Sequence, residues 1–216
     1  MLLFLVRHAC SDISANRWQT PDSKIGNVGK KQAEILSERS RFSQLAKIFS
    51  SDWNRSKETA EIISKRLKVK TESLNYIHER VQSPEIYGSL RESRISKKYI
   101  NGYRDNNENL SWKFEPREES IKEVLKRASR LSNFLIKNYK EECTLVVSHD
   151  MFIRCFIGIA MLGRDYSDTA MARVINSLVT NYTGISLLRY NYQMKQWKIH
   201  YINDFSHLRH MARKKV

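Results

Sequence analysis

Residues 2–16 read LLFLVRHACSDISAN, an apolar run that stops abruptly at Arg7 and His8. Leu2 to Val6 have the length and unbroken hydrophobicity of a strand buried on both faces, as strands of a parallel sheet are. Such a strand normally ends in turn residues. This one ends in a guanidinium beside an imidazole, so the strand end itself calls for positive charge and a titratable nitrogen. In open α/β sheets ligands bind beyond the carboxyl ends of the strands, which makes the residues after each strand the ones to inspect.

Two more runs share this character, Leu45 to Phe49 and Thr144 to Val147. The first is followed by SSDWNRS with Arg55, the second by Ser148 and His149. Between the runs lie helical patterns: VGKKQAEILSERS at 28–40, NRSKETAEIISKRL at 54–67, and a long one from Glu118 to Tyr139. In the last, Ile121, Val124, Leu125, Ala128, Leu131 and Leu135 recur at three- and four-residue steps and form one apolar stripe. MFIRCFIGIAML (151–162) and SDTAMARVINSL (167–178) add two helices, and TGISLLRYN with WKIHYIN reads as a C-terminal hairpin. The alternation predicts a three-layer α/β/α fold with a mostly parallel central sheet closed by that hairpin. The 216 residues suit one domain, 1–216. The segment at about 80–117 fits no clean period and carries SP, NG and DNNEN turn signals, so it is read as an irregular lid insertion.

Thirty-eight Lys and Arg against 23 Asp and Glu give a net charge of +15, which favours phosphate-bearing or otherwise anionic partners. The basic residues are scattered along helices, apart from the final ARKKV, so nucleic acid is a minor expectation as a partner. Cys10, Cys143 and Cys155 lack paired spacing, which speaks against a disulfide framework or a zinc knuckle and for a reducing cytoplasm. MLLFLV lacks a basic leader and no 18 uncharged apolar residues run together, so a soluble chain without membrane association is expected.

Taken singly, His149 reads as a packing or capping residue and Arg55 as a surface charge. Their conjunction with Arg7 and His8 at successive strand ends reads as a phosphate pocket. At this point the chain resembles the histidine phosphatase superfamily, also called the phosphoglycerate mutase-like family. LVRHACS is similar to its RHG signature, and IGNVGKKQAEIL to its LTxxGxxQAxxL segment through Gly29, Gln32 and Ala33. IFSSDWNRSKETAEII resembles the SxxxRxxxTA segment through Ser51, Asp52, Arg55, Thr59 and Ala60. REESIKEVLKRASRL resembles the GES segment with its helix, TLVVSHD the second-histidine strand, and INDFSHL a frequent C-terminal ending.

The resemblance implies a metal-independent phosphomonoester hydrolase with no cofactor, acting through a phosphohistidine on His8. It implies that Arg7, Arg55 and His149 hold the nonbridging oxygens, and that a carboxylic acid protonates the leaving group. Glu79 is the candidate for that acid, with Glu85 and Asp12 behind it. Ala9 and Cys10 depart from the family's glycine and glutamate, and Asn16 falls two residues late, which leaves Ser14 or Asn16 to donate to the phosphate. Asp150 is read as the N-cap of the helix from Met151. Cys10 as a nucleophile, or with His8 and His149 as a metal site, rests only on a His-x-Cys spacing.

The expected substrate is a phosphorylated small molecule or a phosphoprotein. Tyr87, Tyr99, Tyr103, Trp112 and Phe114, interleaved with Arg91, Arg94, Lys97, Lys98 and Arg104, either line a cleft for an aromatic or multiply anionic substrate or pack the lid. Residues 79–106 do not match the gripping segment of the family's mutases, which places a phosphoglycerate mutase-like transferase second. A non-catalytic basic module binding nucleic acid or acidic protein is the alternative from another class; it would weaken steeply with salt.

Overall fold

Leu3 and Leu5 of the first strand face one side of a sheet and Phe4 and Val6 the other, and all four are buried. This is the burial on both faces that their unbroken hydrophobicity requires. The computed structural model describes residues 1–13, 16–163 and 165–212. Its strands are β1 (Leu2–Arg7), β2 (Leu45–Ser51), β3 (Thr71–Leu74), β4 (Cys143–Ser148), β5 (Ile185–Asn191) and β6 (Gln196–Asp204). They form one six-stranded sheet in the order β3-β2-β4-β1-β5-β6. The pairs β2/β3, β2/β4 and β1/β4 are parallel, while β5 runs antiparallel to β1 and to β6 as the C-terminal hairpin.

Helices cover both faces. On one, α1 (Asn27–Ser37) and α2 (Asn54–Leu67) bring Leu36, Ala60 and Ile63 onto Phe4, Val6, Ile48 and Val147. On the other, α4 (Ile121–Asn138), α5 (Asp150–Leu162) and α6 (Asp168–Ser177) pack onto Leu3, Leu5, Phe49 and Val146. The stripe predicted on α4 is buried as a unit from Ile121 to Leu135. That helix starts at a reciprocal capping box between Ser120 and Glu123, an arrangement worth about 1 kcal/mol. Among the described residues no helix is long and apolar enough to cross a membrane.

The segment read as irregular contains a regular helix, α3 (Arg94–Asp105), N-capped by Ser93. Its buried side is Ser96 and Tyr99, with Gly102 pressed against Trp112, where a Cβ would stand 2.9 Å from the indole. Asn101-Gly102 is therefore not a turn; the glycine makes room for a ring.

Candidate active site

Arg7 of β1 lies opposite Ser148 of β4 in the parallel register, so His8 and His149 leave neighbouring strands side by side. The His8 amide donates to the Ser148 carbonyl at 2.9 Å, and the two imidazole centroids are 5.0 Å apart. β2 ends at Ser51 and α2 begins three residues later, which carries Arg55 in the first helical turn to the same sheet edge. His8, Arg55 and His149 are each no more than 1% exposed.

The hydrogen bonds fix the state of His8. Its Nδ1 is 2.8 Å from the Ala9 carbonyl, which can only accept, so Nδ1 carries the proton. Its Nε2 accepts from Arg55 Nε at 3.0 Å and must hold a lone pair. Burial, then the positive charges of Arg55 and Arg7, hold the His8 pKa well below the ordinary histidine range. Burial and the same cations, with the neighbouring imidazoles, do so for His149. Both rings are therefore neutral at neutral pH. Ser51 Oγ, already accepting from the Trp53 amide at 3.1 Å, lies 2.7 Å from His149 Nε2. His149 Nδ1 and Arg7 Nε are buried without a hydrogen-bond partner.

The loop carrying His8 is held from behind by residues of the quoted motifs. The Ala9 amide donates to Thr59 Oγ1 at 3.0 Å, the Thr59 hydroxyl to the Arg55 carbonyl at 2.6 Å, and the Cys10 amide to Gln32 Oε1 at 2.9 Å. Gly29 allows α1 to approach this loop: a Cβ there would lie 2.0 Å from the Cys10 carbonyl oxygen. Gly29→Ala is accordingly expected to push the loop away, lowering stability by roughly 1–3 kcal/mol as overpacking does. The loss should appear as a fall in Tm.

Glu79 enters from the loop after β3. Its carboxylate accepts from the Arg80 amide at 2.9 Å and from the Met151 amide, in the first turn of α5, at 3.1 Å. Arg127 ties this loop to α4, donating to the carbonyls of Tyr76 and His78 while forking onto Glu119 with two 2.7 Å bonds. Burial first, then the charge of Asp150, raises the Glu79 pKa against the opposing pull of Arg55 and Arg7.

Arg7, Arg55 and Glu79 form the floor of a cavity of about 260 Å³, and Trp18, Tyr87, Tyr99, Tyr103 and Arg91 contribute to its outer wall. Trp112 and Phe114 pack behind Tyr99, and Arg94, Lys97, Lys98 and Arg104 are exposed. Tyr182, which sequence reasoning did not select, lies under the Arg7 guanidinium at 4.4 Å and 5.6 Å from the His8 ring. A signal for it existed: β5 is antiparallel to β1 and pairs Ile185 with Val6, so the residues just before β5 return to the ligand-binding edge.

Other expectations are corrected. Asn16 is exposed, and what it contributes is a backbone carbonyl accepting from the Arg91 amide at 2.7 Å; it does not line the cavity. Ser14 lies outside the described residues. Glu85 and Asp12 are exposed and away from the cavity wall. The N-cap of α5 is His149, not Asp150, whose carboxylate instead accepts from Thr180 Oγ1 at 2.6 Å and pairs with Arg154 at 3.3 Å. Burial raises the pKa of the Cys10 thiol, which donates weakly to the Ser11 carbonyl at 3.6 Å, so it is not set up as a thiolate.

Three kinds of likeness to known proteins bear on this arrangement. The sequence profile of the histidine phosphatase superfamily (branch 1) matches residues 3–204. The chain is 28% identical over 202 residues to a probable phosphoglycerate mutase of Yersinia enterocolitica, covering 90% of this chain and 86% of that one. Among solved structures, a mycobacterial glucosyl-3-phosphoglycerate phosphatase complexed with VO3 superposes with a TM-score of 0.79 at 20% identity, over 94% of this chain and 98% of the other. A phosphoserine phosphatase mutant from Entamoeba histolytica, in complex with phosphoserine, gives 0.76 at 19%, over 96% and 98%. At these identities the structural likenesses speak to the fold.

Proposed function

The chain belongs to the histidine phosphatase superfamily, and from that premise we propose that it hydrolyses phosphomonoesters through a phosphohistidine formed on His8 Nε2. The observation that carries this reading is the state of His8: Nδ1–H held by the Ala9 carbonyl, and Nε2 with a lone pair under Arg55. Attack makes the P–N bond as the P–O bond to the leaving group breaks. Arg55 turns from Nε2 to a nonbridging oxygen as the dianion arrives. Arg7 Nε and the unpartnered Nδ1 of His149 supply donors to the others, aimed at the oxygens over which charge spreads. The Glu79 carboxyl gives its proton to the leaving oxygen. Its carboxylate then takes a proton from water as that water attacks phosphorus and the P–N bond breaks, which releases phosphate and restores His8. All these groups belong to the chain, so the scheme calls for no metal or cofactor.

The test is phosphate release from phenyl phosphate in the presence of a chelator, with an alkaline quench during turnover to trap the acid-labile phosphohistidine. Turnover with a trapped adduct on the His8 peptide supports the route; turnover without it overturns it. The name of the bacterial relative makes phosphoryl return to an acceptor the second reading. With 3-phosphoglycerate as substrate, a mutase yields the isomer and a hydrolase yields phosphate.

The raised pKa of Glu79 predicts the form of the pH profile. A general acid works while protonated, so the rate falls as pH rises through the Glu79 pKa, which burial raises from the ordinary glutamate value. His8, whose pKa is lowered, sets the acid limb well below the ordinary histidine range. Glu79→Gln is expected to abolish the descending limb and to cost roughly 10²–10⁴-fold in kcat for an alkyl phosphate. In kcat/KM, which reports the first step alone, the cost for 4-nitrophenyl phosphate should be far smaller, because its leaving group needs little protonation; the loss of the base for water attack remains in kcat.

A further inference from the structure

The outer wall of the cavity differs in kind from its floor. An antiparallel bridge between Arg17 and Leu90 holds Trp18 and Arg91, which line the cavity, side by side, with the Trp18 amide donating to the Ser89 carbonyl at 3.1 Å and the Gly88 amide returning to the Trp18 carbonyl at 3.0 Å. This fixes Trp18, whose indole N–H donates to the buried Ser96 hydroxyl at 3.0 Å and whose ring meets Tyr99 edge-on at 5.3 Å. The Tyr87 hydroxyl accepts from the Gln82 amide at 3.0 Å, and Tyr99 is buried. The indole N–H is thus committed within the protein and the Tyr87 oxygen already accepts one bond, so what this wall mainly offers a ligand is ring surface. A polyol placed against these rings would exchange water largely for ring faces, which return few of its hydrogen bonds.

The charges of this wall are also accounted for, except one. Arg80 is ion-paired with the buried Glu118 at 2.9 Å, and Asp150 is met by Arg154 and Thr180. Arg91 stacks its guanidinium 4.2 Å above the Trp18 ring and has no carboxylate within ion-pairing distance among the described residues. Stacking engages the face of a guanidinium and leaves its in-plane N–H donors available for an anion.

Building on the proposed phosphatase reading, we propose that the substrate is a phosphomonoester whose leaving group is a planar aromatic ring bearing a second anionic group: the phosphate sits on Arg7 and Arg55, the ring against Trp18, Tyr87 and Tyr99, and the anion on Arg91. This chemistry differs from that of the phosphoglycerate, glucosyl-3-phosphoglycerate and phosphoserine in the names of the similar proteins, none of which carries an aromatic ring.

Binding of phosphonates, which are not turned over, separates this inference from the catalytic one. Dissociation constants are measured by calorimetry for benzylphosphonate, its 4-carboxy and 4-carbamoyl derivatives, and (3,4-dihydroxybutyl)phosphonate. The benzyl compound should bind about tenfold tighter than the dihydroxybutyl one, and the carboxylate about tenfold tighter than the isosteric amide, in line with a desolvated site built for those groups. Arg91→Gln, an exposed side chain whose backbone bond to Asn16 is kept, should remove the second preference and leave the first. Equal binding of ring and polyol, or a carboxylate preference that survives Arg91→Gln, overturns the inference. Phenyl phosphate hydrolysis measured in parallel reports on the phosphatase reading alone: turnover without these preferences sinks only the substrate class, and the preferences without turnover sink only the activity.

Discussion

Alanine at position 8 is expected to lower kcat/KM for phenyl phosphate by on the order of 10⁴-fold or more, the scale seen when a nucleophile is removed from a preorganised site. His8 lies behind Arg55 of the cavity floor as a neutral imidazole, with its lone pair directed at that guanidinium and its second nitrogen anchored to backbone. Arg7, Arg55 and His149 would remain to bind phosphate, so the variant should keep its affinity for benzylphosphonate while losing turnover. That pairing distinguishes chemistry from collapse. The variant also leaves the Ala9 carbonyl without its donor and a small cavity behind, so some fall in Tm accompanies the loss. A residual rate within tenfold of the native one would overturn the phosphohistidine route.

Arg55 carries the second large effect. Its guanidinium is deeply buried, with a pKa brought down to about 10 chiefly by burial, and it is still charged at neutral pH. Nε contacts His8, Nη1 donates to the Thr20 carbonyl at 2.7 Å, and the plane stacks near Trp53 at 4.8 Å. Arg55→Ala is expected to cost roughly 10²–10³-fold in kcat through lost stabilisation of the transferring phosphoryl group. It should also move the acid limb of the pH profile. Arg55 is the leading charge that holds the His8 pKa down, so removing it raises that pKa, and the nucleophile becomes protonated at a higher pH than in the native enzyme. Arg55→Lys keeps the charge and loses the fork, so it should lose rate while leaving the acid limb nearer its native place. Acid limbs that coincide in all three proteins would show that His8 does not set that limb.

The elements that sequence reading found are those whose buried faces are built from aliphatic residues. NRSKETAEIISKRL is α2 residue for residue, and the three apolar runs lie within β1, β2 and β4. What it missed is buried by other means. β3, TESL, is an edge strand with only Leu74 buried, so alternation has almost nothing to register. The inner face of α3 is a serine, a tyrosine and a glycine fitted against a tryptophan, which a hydrophobic period does not detect. Within the site, the ends of parallel strands pointed to Arg7, His8, Arg55 and His149 because a single rule about strand ends covers them. Tyr182 reaches the same edge at the start of an antiparallel strand, where that rule has to be run backwards. Asn16 was selected by its offset from the family pattern, and an offset says nothing about which way a loop turns.

The 3.0 Å contact between Arg55 Nε and His8 Nε2 bears on more than the phosphoryl step. An imidazole with a free lone pair is an open target for acylating and alkylating compounds, and such modification would block the nucleophile. Here the lone pair is covered by Arg55, and under the proposed mechanism it is uncovered when a ligand with enough negative charge draws the guanidinium aside. Uncharged electrophiles lack that means of entry, so reagents such as diethyl pyrocarbonate should modify His8 slowly in the resting protein. A slow reaction with such reagents would mean that the site selects its reactants by charge before any of them reaches the reactive nitrogen.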